Sequence, residues 1–191
     1  LLKDSAKRLA GKGGDPVVEL KTNFGGGKTH SLLALYHMVS GTSLQDLAGL
    51  DQLLSDVEMP SKIHRAVFVG TKRGPMDTWT TDDGTEVSTI WGSLAWQLGG
   101  KQGFELVRSQ DETGIAPGTD ILGELFRTYS PCLILIDEWV AYLRQIYKQE
   151  NLASGTFDAN LSFVQALTEA VKSAPGTLLV ASLPASQIEV G

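Results

Sequence analysis

Cysteine is nearly missing from this sequence, with one residue, Cys132, in 191. A single thiol can form neither an intrachain disulfide nor a thiolate zinc site, and a reducing cytoplasm is the compartment such a chain suits. Long apolar runs are also lacking. The stretch Cys132 to Ile136 is five residues long, far below the ~20 that a membrane-spanning helix needs, so no membrane role is expected. Positive charge is not in excess: 16 Lys and Arg stand against 22 Asp and Glu, a net charge of −6. That balance excludes a chain that grips nucleic acid over its whole surface. The local group Lys62, His64, Arg65, Lys72 and Arg73 reads as a solvated face or as a local phosphate contact, and carries no nucleic-acid assignment by itself. Repeats and low-complexity tracts are absent as well. The opening residues, Leu1-Leu2-Lys3-Asp4, lack both an initiator Met and the layout of a signal peptide, which points to a piece of a longer polypeptide.

What is present is an ordinary globular composition, 42% hydrophobic and 20% charged, of a length that suits one domain over residues 1–191. Short apolar runs alternate with amphipathic stretches, the pattern of βαβ units around a parallel sheet. Strands are expected at Val17 to Leu20, Ala66 to Val69, Leu133 to Ile136 and Leu178 to Ala181. A helix carries Leu32, Leu35 and Val39, and one or two short helices fall between Thr42 and Val57. Asp83-Gly84 marks a turn, possible centre of a small hairpin. A helix from Ser88 is expected to stop at Gly99-Gly100, followed by a Gly/Pro loop and a helix from Leu122 to Tyr129. Two more helices follow, one running through Tyr147 and one from Asn160 to Ser173.

Between the first strand and its helix lies Thr22-Asn23-Phe24-Gly25-Gly26-Gly27-Lys28-Thr29, where a phosphate-binding loop belongs. Glycines let the backbone close around phosphate oxygens, and successive N–H groups at the helix start point at the anion. Lys28 neutralises the β- and γ-phosphates, and the Thr29 hydroxyl ligates Mg²⁺. Thr22 stands where the motif's leading glycine would be. His30, on the first helical turn, lies near phosphate or simply caps and packs. Leu133-Ile134-Leu135-Ile136-Asp137-Glu138 is the partner signal, a buried strand ending in two carboxylates. Asp137 can hold the Mg²⁺ shell while Glu138 orients and deprotonates an attacking water. Ser182 ends the last strand, either as a sensor of the γ-phosphate or as a turn former. The four tryptophans, Trp79, Trp91, Trp96 and Trp139, read as core or interface aromatics.

These residues resemble the core of an AAA+-related P-loop ATPase, a three-layer α/β sandwich with a mostly parallel sheet. More particularly, Lys21 to His30, Thr89 to Gly100, Ser130 to Trp139 and Gly176 to Ser186 resemble a family of large prokaryotic ATPases known as domain of unknown function 499. The resemblance covers nearly the whole chain. It implies that the Ser182 strand lies between the glycine-loop strand and the Asp137 strand, and that a further strand and a lid follow. It implies that residues Asn23 to His30 bind ATP, that Thr29 and Asp137 hold Mg²⁺, and that Glu138, Lys28 and Ser182 serve catalysis. Partners implied are further copies of the chain or DNA methyltransferase- and helicase-type proteins of restriction or anti-phage islands, with nucleic acid reached through them. A slow nucleotide-dependent signalling switch is the alternative use of the same site. An arginine is expected at the γ-phosphate, and since none of Arg8, Arg65, Arg73, Arg108, Arg127 and Arg144 follows the last strand, it is expected from a neighbour or a later domain.

Overall fold

The structure is a computed structural model that describes residues 1–22, 26–41 and 49–184. In chain order the elements are α1 (Leu2–Leu9), β1 (Val17–Thr22), α2 (Lys28–Met38), α3 (Leu50–Leu53), β2 (His64–Val69), β3 (Trp79–Thr80) and β4 (Glu86–Val87). They continue with α4 (Ile90–Glu105), α5 (Arg108–Thr113), α6 (Thr119–Thr128), β5 (Cys132–Asp137), α7 (Trp139–Ile146), α8 (Phe157–Ser173) and β6 (Thr177–Pro184). Four strands form one sheet in the order β1-β6-β5-β2, every neighbouring pair parallel. The protein is thus α/β, and β6 lies between β1 and β5. Around Asp83-Gly84, β3 and β4 make a two-stranded antiparallel hairpin.

Strand β5 is buried along its whole length because it has neighbours on both edges and helices on both faces, which is why its sequence is a continuous apolar run. Successive side chains point to opposite faces. Ile134 and Ile136 therefore join Ala66, Phe68, Leu94, Phe126 and Phe163 in one core. Leu133 and Leu135 join Leu32, Leu35, Leu178 and Val180 in the other. Helix α1 belongs to this second core through Ala6 and Leu9. From it, the Arg8 guanidinium donates to the carbonyls of Val171, Ala174 and Thr177 at 2.8–3.1 Å, tying α1 to the turn between α8 and β6. Among the described residues no helix is long and apolar enough to cross a membrane.

Some boundaries differ from expectation. At Gly99-Gly100 the helix from Ile90 breaks as expected, Gly100 leaving helical geometry (φ 57°, ψ −143°), but a second helical piece that was not expected continues α4 from this kink to Glu105. Gly100 makes the break through its positive φ, while Gly99 and Gly103 answer to packing. A Cβ on Gly99 would lie 2.1 Å from the Tyr129 ring, and one on Gly103 would lie 2.4 Å from the Ala95 carbonyl oxygen. The stretch that follows contains α5, and α8 starts earlier, at Phe157, where the Thr156 side chain caps it by accepting from Ala159 N. Of the Thr42–Val57 stretch, α3 is helical and residues 42–48 lie outside the described residues.

Candidate functional site

Parallel strands deliver their carboxyl ends to one side of a sheet, and ligands bind in α/β folds at that side. Here β1 runs toward the glycine loop, β5 ends at Asp137, and Ser182 lies near the end of β6. Because Ile136 pairs with Ala181, the next residues, Asp137 and Ser182, are adjacent although 45 positions apart in sequence. On the other side of β6, Gly27 adopts a left-handed conformation (φ 78°) and caps α2, which begins at Lys28 without a side-chain cap. A residue with a Cβ is strained at such a φ, so glycine suits this turn. Its effect is to leave the first N–H groups of α2 facing the cleft and to set Lys28 and Thr29 in the first helical turn.

One carboxylate joins the three elements. The Thr29 hydroxyl donates to Asp137 Oδ2 at 3.0 Å, and the Ser182 hydroxyl donates to Asp137 Oδ1. Glu138 N donates to Ser182 Oγ at 3.1 Å and to Asp137 Oδ1 at 3.2 Å. Asp137 and Ser182 are buried, so each of these bonds replaces water that the groups have lost. Glu138 itself sits in the left-handed region (φ 54°, ψ 37°) as the N-cap of α7. A non-glycine residue there costs about 1–3 kcal/mol, and such strain gathers at functional sites. Gly70, just past β2, holds it from behind: Gly70 N donates to the Asp137 carbonyl at 2.9 Å. A Cβ on Gly70 would lie 2.1 Å from the Glu138 carbonyl oxygen.

In front of these groups opens a cleft of about 420 Å³. Gly26, Gly27, Lys28, Thr29 and His30 line one wall, Glu138 and Ser182 another, so these expected site residues are brought together, with Asp137 directly behind. Asn23, Phe24 and Gly25 lie outside the described residues. Five lining residues were not singled out from the sequence: Val140, Ala141, Arg144, Leu183 and Pro184. For the first three the signal was helical spacing, since positions 140, 141 and 144 share one face of α7. Gly70 was also missed, because close approach of two backbones leaves no mark on sequence pattern. Elsewhere Trp91 and Trp139 are buried, while Trp79 and Trp96 meet edge to face.

Chemically, the arrangement offers hydrogen-bond donors from a helix start, an ammonium group, and hydroxyl and carboxylate oxygens within one bond of each other. Oxygen donors of this kind suit Mg²⁺, which keeps most of its shell as water or phosphate oxygen and asks one or two ligands of the protein. Thr29 and Asp137 fit that demand. Among the described residues no three His, Cys, Asp or Glu side chains gather into a larger metal cluster.

No curated protein and no solved structure matches the chain. A family model does: the DUF499 N-terminal domain matches residues 1–190, and the chain belongs to that family.

Proposed function

We propose that this domain is a P-loop ATPase core of AAA+-like type, which binds Mg-ATP and hydrolyses it to ADP and phosphate. The observation that carries the reading is the 3.0 Å bond from Thr29 to Asp137. It joins the helix that follows the glycine loop to the acidic end of β5, at a cleft that Lys28 and Glu138 both line. In this reading the α2 start and Lys28 bind the β- and γ-phosphates. Mg²⁺, held by Thr29 and Asp137, supplies charge neutralisation at the phosphate oxygens. Glu138 takes a proton from the attacking water. Ser182 keeps the Asp137 carboxylate and the Glu138 backbone in register. The family resemblance is the ground for assigning the energy to a DNA-modification or anti-phage complex, assembled from copies of the protein or from methyltransferase- and helicase-type partners.

Two variants test the reading. Lys28→Ala removes the ammonium and leaves the backbone intact, so Mg-ATP affinity should collapse while the melting curve stays put. Glu138→Gln should bind Mg-ATP and turn over about 10²–10⁴-fold more slowly. Calorimetry showing Lys28→Ala to bind as tightly as the parent would overturn the phosphate site, and equal turnover by Glu138→Gln would remove the general base. Acceleration by DNA or partner proteins separates a motor from a slow switch.

A further inference from the structure

We propose that Arg144 is a phosphate-binding residue that reads the terminal phosphate of the nucleotide from within the same chain. The inference rests on the ATP reading above and adds to it the side chain that tells ATP from ADP. Within the described lining of the cleft the basic side chains are Lys28, His30 and Arg144. Lys28 and His30 belong to α2, whose start takes the β- and γ-phosphates from the loop side. Arg144 comes from α7, which carries Glu138 at its cap. A phosphate chain that begins on α2 and must present its last phosphorus to a water activated by Glu138 has to end against α7. Arg144 is the cation on that wall.

The helix makes the reach feasible. Arg144 is six residues beyond Glu138, roughly 9 Å along the axis, and helical side chains tilt back toward the helix start. Val140 and Ala141 share its face and line the same cleft. Neither is large enough to block an arginine that folds over the first turn. Charge points the same way. Mg-ATP is doubly negative near neutral pH and Mg-ADP singly so. One lysine balances the second, and a further permanent cation is needed to balance the first, which a guanidinium provides together with paired donors for phosphate oxygens. The proposal thus differs from the expectation of an arginine from a neighbour or a later domain, and assigns that role to a residue of the same chain.

The test is to measure the affinities of this chain for Mg-ATP and Mg-ADP, and its turnover at several protein concentrations, as the parent, Arg144→Ala and Arg144→Lys. Arg144 is exposed, so the variants should stay folded, with cooperative melting curves within a few degrees of the parent's. Arg144→Ala should lose at least about tenfold in preference for Mg-ATP over Mg-ADP, since a tenfold change corresponds to the modest end of a lost charge-assisted bond. Turnover should fall about 10³-fold or more, the lower end of what an arginine at this position supplies. Arg144→Lys should recover the nucleotide preference in part and the turnover little. An unchanged ATP-to-ADP preference in Arg144→Ala overturns the proposal, whatever the turnover does. If the parent binds neither nucleotide, the ATP reading itself falls, and the proposal with it. If the parent binds both and only the Arg144 variants are silent, the ATP reading stands and Arg144 is a surface charge.

Discussion

Replacing Ser182 with Ala deletes one oxygen and tests how the site is held together. The hydroxyl donates to Asp137 Oδ1 and accepts from Glu138 N at 3.1 Å, in a place where Ser182 is only 3% exposed and Asp137 8%. Water therefore has little room to replace it. A hydrogen bond to a charged group contributes about 1.5–3 kcal/mol net. Glu138 N keeps its weaker 3.2 Å bond to Asp137, so the loss should lie near the middle, about 2 kcal/mol. In a chain of this size that lowers the melting temperature by roughly 4–8 °C. The same bonds hold the left-handed Glu138 backbone, and if all of that energy orients the general base, turnover falls by up to about 30-fold. Mg-ATP affinity should stay within a few-fold, because Lys28 and the α2 start are untouched. Scanning calorimetry and phosphate release at saturating Mg-ATP measure the two effects. A variant that melts within about 1 °C of the parent and turns over at the same rate would refute the claim that this hydroxyl organises the site.

Three further outcomes are expected. Asp111 is a buried carboxylate that accepts from Ser88 N, Thr89 N and the Thr89 hydroxyl at the start of α4, so Asp111→Ala should cost about 3 kcal/mol or more. Urea unfolding should show this as a lower midpoint at unchanged slope. Gly70→Ala would place a Cβ 2.1 Å from the Glu138 carbonyl oxygen and 2.8 Å from Tyr142 Cβ. Turnover should suffer more than Mg-ATP binding, which kinetics beside calorimetry would reveal. Burial pushes the Cys132 thiol up to about 11 from 9.0. The folded chain should thus be inert to a thiol reagent at pH 8 and release one equivalent in denaturant. With the folded value raised, the unfolded chain ionises first, so this group's contribution to stability is full below pH 9 and falls as pH rises toward 11.

Glycines flanked by a strand and a helix, and an apolar run closed by two acids, are local patterns, and residues 26–30 and 133–138 were legible from them. Their physical cause lies within a few residues of chain: positive φ at Gly27, an N–H-rich helix start, a strand buried on both faces. The same locality explains the break at Gly99-Gly100, which the positive φ of Gly100 provides, whereas the close approach of Tyr129 to Gly99 left no local mark. Burial of β5 followed from its composition, yet which strand lies beside it did not. The strand order entered through family resemblance, not through periodicity, because pairing across 45 residues is settled by how two faces of a sheet are covered. That pairing puts the Ser182 hydroxyl on Asp137, the pairing of β2 with β5 brings Gly70 behind Glu138, and the packing of α7 sets Arg144 at the cleft. Sequence thus determined which chemical groups the protein has and the local backbone that carries them, since these depend on neighbouring residues. Tertiary structure decided which of those groups meet, because distance across a fold depends on packing of elements that the chain visits far apart.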